Sequence, residues 1–391
     1  MQLRPHQEQA VKAMLRNTKG QIIVPTGGGK TMCMIDDAMN EFSRSYMGQT
    51  IVVVAPRILL ANQLSAEFLE FIDNAEVLHV HSGETHHYST TKASEISVWS
   101  AKNSVNNQII FTTYHSLHRV QESDIHVDTI YFDEAHNSVQ KNFYPATEYF
   151  SFNADRCYFF TATPKHSRTP EKAGMNWSKT YGNVICQIPA PRLVKQGYIL
   201  PPKVEVYRSR ILKKDELVAD RDCEQMIDAI DNLDKNKVLI CAKSTKQIVN
   251  LVAHTKFVSE LAWRGYSYML ITSKTGAIID GEKVTREEFF DVLNAWGQDP
   301  DRRFVVLHHS ILSEGMNVKG LEAVLFMRSM DYIGISQTIG RVIRKGSKDK
   351  IFGLVCIPVY SKVGISTATK VEAVVDTIFN KGEAATTVIT R

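Results

Sequence analysis

The sequence predicts an α/β protein of two tandem lobes, each a wound, mostly parallel sheet flanked by helices. Three observations predict it. Short apolar strands recur between helical stretches along the chain, a glycine-rich loop joins the first strand to a helix, and a proline pair breaks the chain near its middle. The expected division is residues 1–200 for the first lobe and 201–391 for the second, which ends in a helix. At 391 residues and 43% hydrophobic content the chain can bury two full cores, with little left for accessory domains.

In the first lobe the expected strands lie at Ile22, Val52, Ile109, Ile130 and Cys157. Pro189-Ala190-Pro191 opens a helical stretch that Gly197-Tyr198-Ile199-Leu200-Pro201-Pro202 closes, and the second lobe resumes the alternation at Val204, Val238, Met269, Phe304, Val324 and Phe352. Residues 371–379 are amphipathic and read as a helix packed on the second lobe.

Ile22-Ile23-Val24 reads as a short buried strand, and residues 32–42 have helical spacing. Between them lies Pro25-Thr26-Gly27-Gly28-Gly29-Lys30-Thr31. Consecutive glycines let the backbone curl with its N–H groups inward at a helix N-terminus, which is an anion site. Lys30 then reaches the β- and γ-phosphates of a nucleoside triphosphate and the Thr31 hydroxyl holds Mg²⁺. Val24 stands where the general phosphate-loop pattern has its first glycine.

About a hundred residues on, Val127-Asp128-Thr129-Ile130-Tyr131-Phe132 runs into Asp133-Glu134-Ala135-His136, a strand ending in two carboxylates. At the C-terminal edge of a parallel sheet, Asp133 holds Mg²⁺ and Glu134 orients and deprotonates the attacking water.

With both halves of a nucleotide site in view, the chain resembles superfamily 2 helicases of the DExH type, its acidic motif being of the DEAH form. The resemblance runs from Leu3 to Arg344 and implies two RecA-like lobes with an ATP cleft between them. It makes Leu3-Arg4-Pro5-His6-Gln7 the adenine-reading segment, so that Arg4 and Gln7 join Thr26, Gly27, Gly28, Gly29, Lys30 and Thr31 as nucleotide-binding residues. Val52-Val53-Val54-Ala55-Pro56-Arg57 is similar to the first strand-contacting motif, with Arg57 on a nucleic-acid phosphate. Thr112-Thr113-Tyr114-His115-Ser116-Leu117 is similar to the next, with Thr112 and Thr113 supplying backbone contacts. Thr161-Ala162-Thr163-Pro164 resembles the coupling motif, in which the Thr161 and Thr163 hydroxyls, with His136, link the acidic motif to the strand-binding side.

In the second lobe, residues 237–244 resemble the fourth motif, with Ser244 and Lys246 as phosphate contacts. Residues 310–318 resemble the fifth, in which Ser310 touches the tracked strand, Gly315 approaches the nucleotide, and Asn317 stands where family members usually carry Asp. Gln337-Thr338-Ile339-Gly340-Arg341-Val342-Ile343-Arg344 is similar to the final motif. It makes Gln337, Arg341 and Arg344 catalytic, the two arginines neutralising charge on the transferring phosphoryl group.

The resemblance implies an ATP- and Mg²⁺-dependent, nucleic-acid-stimulated ATPase. Its motor acts on single-stranded, forked or branched nucleic acid in replication, recombination or repair, and its core is monomeric. The Gln337-x-x-Gly340-Arg341-x-x-Arg344 form favours DNA. The alternatives are an RNA helicase, a double-stranded DNA translocase, or an ATP-gated clamp.

Composition is consistent with this and excludes little else. No apolar run approaches membrane-spanning length and Met1 leads into a polar helix, so a cytoplasmic chain with no membrane partner is expected. The six cysteines are scattered without a C-x-x-C pair. His79, His81, His86 and His87 cluster in a Ser/Thr/Gly-rich segment without acidic or cysteine partners at ligand spacing, which weighs against a metal. The net charge of +4 is compatible with a basic groove.

Overall fold

The computed structural model describes residues 1–45, 47–169, 173–208, 212–272, 274–309, 320–327, 335, 338–340, 353–359 and 361–389. It divides into two compact units, Met1–Pro189 with Ala384–Arg391, and Ala190–Glu383.

The first unit is built on strands β1 (Lys19–Ile23), β2 (Thr50–Ala55), β3 (Ala75–Val80), β4 (Asn107–Thr113), β5 (Thr129–Phe132), β6 (Arg156–Thr161) and β8 (Val184–Gln187), with a short β7 (Lys165–Ser167) outside the sheet. The seven strands run in the order β3-β4-β2-β5-β6-β1-β8, and every pair is parallel. Parallel sheets carry helices on both faces, which is why β2 (TIVVVA) and β5 (TIYF) are buried at every position. On one face Phe132 of β5 and Phe159 of β6 stack with centroids 4.8 Å apart inside the larger aromatic core. The expected strands at Ile22, Val52, Ile109, Ile130 and Cys157 are present; β3 and β8 extend the sheet at its two edges.

Helix α1 (Pro5–Leu15) precedes β1, and α2 (Lys30–Arg44) follows the glycine loop. Helix α2 buries Cys33, Met34, Ile35, Ala38 and Phe42 along one stripe. Asp37 lies in the same stripe and is fully buried. Arg156, at the start of β6, meets it in a two-pronged pair at 2.8 and 3.0 Å, and Tyr131 of β5 donates its hydroxyl at 2.6 Å. Arg156 also reaches Glu41 at 2.9 Å. A buried charge is tolerated when it is paired and hydrogen-bonded, so this cluster fastens α2 to the two central strands.

The second unit carries β9 (Pro202–Arg208), β10 (Lys237–Cys241), β11 (Ser267–Thr272), β12 (Gly276–Ile279), β13 (Glu282–Val284), β14 (Phe304–His308), β15 (Ala323–Phe326) and β16 (Gly353–Val359). They form an eight-stranded sheet in the order β13-β12-β11-β14-β10-β15-β16-β9. It is parallel except at β12 and β13, an antiparallel hairpin whose turn places Asp280 and Gly281 at φ 46° and 94°. The amphipathic stretch after residue 360 is the helix Ser361–Val375 and the π-helical turn Asp376–Asn380. Beyond it, β17 (Thr387–Ile389) pairs in parallel with β7 of the first unit. No helix among the described residues is long and apolar enough to cross a membrane.

Candidate nucleotide site

The C-terminal edge of the first sheet gathers the ends of β1, β2, β4, β5 and β6. After β1, Val24 N–H donates to Thr161 O at 3.0 Å, which carries the strand direction into the loop. Gly27 and Gly29 adopt φ 87° and 77°, values a side chain disfavours. A Cβ on Gly29 would stand 2.4 Å from Gln7 Nε2, so the Gln7 side-chain amide fills the space that a side chain at residue 29 would take. Gln7 Nε2 donates to Gly29 O at 3.2 Å, its Oε1 accepts from Arg4 N–H at 2.9 Å, and His6 Nε2 lies 2.7 Å from Gly28 O. The segment expected to read adenine therefore docks on the loop through its own amide. Thr26, Gly27 and Thr31 are half-buried and Arg4 is exposed.

Lys30, first residue of α2, reaches across to the end of β5 and donates to Glu134 Oε1 at 2.7 Å. Asp133 and Glu134 are each 6% exposed. Burial raises the Asp133 carboxyl above the usual carboxylate range; the Lys30 charge opposes the rise and the Glu134 charge adds to it. Glu134 has φ 45° and ψ 53°, a left-handed conformation that costs a non-glycine residue about 1 kcal/mol or more. Its carbonyl accepts from the side-chain and main-chain N–H groups of Asn137, both at 3.0 Å.

His136 is buried behind the acidic pair. Its Nδ1 lies 3.0 Å from Thr161 Oγ1, 3.4 Å from Thr163 Oγ1 and 3.6 Å from Glu134 Oε2, so residues of the acidic and coupling motifs meet at one imidazole nitrogen. Thr163 N–H also donates to Thr161 Oγ1 at 3.0 Å.

Arg57 is exposed at the N-terminus of the helix α3 (Ile58–Leu69), on the same edge. The expectation for Thr112 and Thr113 needs correction. Both are buried because β4 is an interior strand, and Thr112 Oγ1 donates to Val80 O at 2.9 Å within the sheet. His115 is the exposed member of that motif.

In the second unit, Ser244 caps the helix Thr245–His254, its hydroxyl accepting from Gln247 N–H at 3.2 Å, and Lys246 is exposed. Ser310, Gly315, Asn317, Gln337, Arg341 and Arg344 lie outside the described residues.

The histidine cluster is a packing feature. His79 is fully buried, with Nδ1 3.0 Å from His81 Nε2 and Nε2 3.0 Å from Ser65 Oγ, and its ring stacks on His87. Sequence reasoning missed Tyr114, Asn137 and the Asp37–Arg156 cluster. Tyr114 was inside a recognised motif, and an Asp within an otherwise apolar helical stripe was the one available signal for the cluster.

Residues 1–166 match the model of the family described as Type III restriction enzyme, res subunit. Among solved structures, this chain is similar over 100% of its length to the ATP-dependent Type ISP restriction-modification enzyme LlaBIII bound to DNA (TM-score 0.76, 17% identity, 31% of that chain). It is also similar over 99% of its length to a nuclease-deletion mutant of the Type ISP enzyme LlaGI in complex with a DNA substrate mimic (TM-score 0.71, 18% identity, 30% of that chain). A fragment assigned as an HsdR subunit of a type I restriction enzyme from Vibrio vulnificus YJ016 matches 98% of this chain and 67% of that one (TM-score 0.62, 15% identity). The chain thus spans about a third of the length of the first two proteins, and at these identities the likeness is one of fold. No curated protein sequence matches.

Proposed function

We propose that the chain is an ATP-driven motor on DNA, a helicase or translocase whose hydrolysis is stimulated by nucleic acid. The observation that carries the reading is the convergence of Lys30, Glu134, His136, Thr161 and Thr163 on one sheet edge, with Lys30 already bound to the candidate general base. The similar proteins add support: two are restriction-modification enzymes in complex with DNA or its mimic, one of them named as ATP-dependent.

The residues suit Mg²⁺-ATP. The loop turns through a left-handed φ of 77° at Gly29, and one ammonium, one hydroxyl and two buried carboxylates form a donor set for a metal-bound triphosphate. Thr31 and Asp133 would hold the metal, which supplies Lewis-acid charge on phosphoryl oxygens when bound. Arg4 and Gln7 face the base end, and Thr26 to Thr31 the phosphates.

In the pair as it stands, the charge of Glu134 is neutralised by Lys30. An incoming triphosphate draws the ammonium to its own oxygens and releases the carboxylate to orient and deprotonate water. Base activation is thereby tied to substrate arrival. His136 registers that change and shares it with Thr161 and Thr163. By the resemblance, Gln337, Arg341 and Arg344 are assigned to the transferring phosphoryl group, Arg57, Ser244, Lys246 and Ser310 to strand phosphates, and Gly315 to the nucleotide.

A second reading, translocation along duplex DNA without strand separation, is favoured by the likeness to restriction enzymes. ATP turnover with single-stranded, duplex and forked DNA and with RNA, each across a salt series, tests both. Stimulation by single strands and forks supports the helicase, and stimulation by duplex alone supports the translocase. Stimulation by RNA alone, or by none of the four, overturns the proposal.

A further inference from the structure

We propose that Tyr114 is a positioning residue for the hydrolytic step, holding the peptide that aims Glu134; the inference rests on the reading of Glu134 as the base. Tyr114 follows β4 directly, is 2% exposed, and donates its hydroxyl to the carbonyl oxygen of Asp133 at 2.8 Å. That carbonyl belongs to the peptide plane between Asp133 and Glu134. Rotating the plane changes ψ of Asp133 and φ of Glu134 together, so whatever fixes the carbonyl fixes the direction in which Glu134 leaves the backbone.

Restraint is needed at this place. Glu134 is one of five described non-glycine residues at positive φ, and such a conformation persists only where its surroundings over-determine it. Four hydrogen bonds do so, two of them from Asn137. Asp133 N–H donates to Val54 O at 2.9 Å, Asn137 holds the Glu134 carbonyl, and Tyr114 holds the carbonyl between them.

The ring is placed as firmly as the hydroxyl. It stacks between Phe132, the last residue of β5, and Phe143, with centroids 6.1 and 5.7 Å away. Burial also holds its pKa well above that of an exposed tyrosine, so the hydroxyl remains a donor.

The position also has a direction. His115, next in sequence and exposed, packs edge-on against Phe143 at 4.6 Å. A single packed chain therefore runs from an exposed residue of the segment that resembles a strand-contacting motif, through Phe143 and Tyr114, to the peptide bearing the candidate base. Neither a phosphate nor a nucleic-acid strand needs to touch Tyr114 for it to act.

Tyr114→Phe deletes one oxygen and leaves the ring packing in place. The expected result is a fall of about tenfold in DNA-stimulated kcat, the rate equivalent of one buried hydrogen bond lost from the reacting geometry, with the KM for ATP within about twofold of wild type. Unchanged kcat, or a loss shared equally by kcat and KM, would overturn the proposal. Amide hydrogen exchange gives a second readout that needs no turnover: residues 134–138 should exchange faster in Tyr114→Phe while β2 and β4 keep wild-type protection. Were the wild-type chain to show no ATP hydrolysis, the proposed function would fall, and unchanged exchange at 134–138 would then overturn the positioning role on its own.

Discussion

Lys30 Nζ lies 2.7 Å from Glu134 Oε1, in a pair whose side chains are 11% and 8% exposed. The ammonium proposed to bind a phosphate is held by the carboxylate proposed to activate a water, in surroundings that strengthen the attraction. Lys30→Ala should therefore abolish ATP hydrolysis, because γ-phosphate charge then meets only neutral amides of the loop. Turnover near wild type, measured by phosphate release, would reduce residues 26–31 to a structural turn.

Glu134→Gln separates binding from chemistry. An amide accepts no proton from water, so hydrolysis should stop while Mg-ATP affinity, followed by equilibrium titration, stays within a few-fold of wild type. A collapse of affinity would make Glu134 a main metal ligand.

Arg344→Ala tests the second lobe. DNA-stimulated kcat should fall by roughly a thousandfold or more, as for an arginine finger, with a smaller effect on ATP affinity and on basal hydrolysis. Turnover with and without single-stranded DNA decides it: equal proportional losses would mean that nucleic acid does not bring this residue to the nucleotide.

Asp37→Ala should destabilise the first unit by about 3 kcal/mol, toward the lower end for breaking a buried ion pair because Arg156 keeps Glu41 at 2.9 Å. Urea unfolding measures it. A loss below about 1 kcal/mol would show that Glu41 alone satisfies the guanidinium, within the spread of single surface pairs.

Acid should weaken the same unit through His79. Burial, with the charges of His81 and His87, lowers its pKa from 6.5 to about 3. The unfolded chain takes up that proton near pH 6.5 and the folded chain does not until far lower. Between the two the unfolded state binds more protons, so stability is intact above 6.5 and falls with pH by up to about 1.4 kcal/mol per unit. His79→Gln should flatten the dependence of Tm on pH between 6.5 and 4. An unaltered slope would assign the acid sensitivity to other groups.

Much of the fold was legible because its signals are local. A buried parallel strand is a continuous apolar run, and glycines before a Lys-Thr announce an anion loop, so β1, β2, β4, β5 and β6 and the loop after β1 could be read directly. The strands that escaped notice are partly exposed: β3 carries Glu76 and His79 among its apolar residues, and β8 has one buried position in four. Of the candidate site, sequence singled out Lys30, Glu134, His136, Thr161 and Thr163, which the structure brings together. Burial of Thr112 and engagement of Gln7 by the loop depend on neighbours far along the chain. Tyr114 was invisible as a role because its partner is a main-chain carbonyl, and no residue type encodes that.

The pairing of β17 with β7 has a consequence for synthesis. Thr387, Val388 and Ile389 lie against Lys165, His166 and Ser167, Thr387 N–H donates to Pro164 O at 3.2 Å, and Ile389 packs on the first unit's core. On a ribosome, β7 emerges roughly 220 residues before β17, its strand partner among the described residues, an interval on the order of ten seconds or more. The unit that begins to fold first is the last to be finished, and a nascent chain released early would carry β7 as a bare edge next to Thr163 and Pro164.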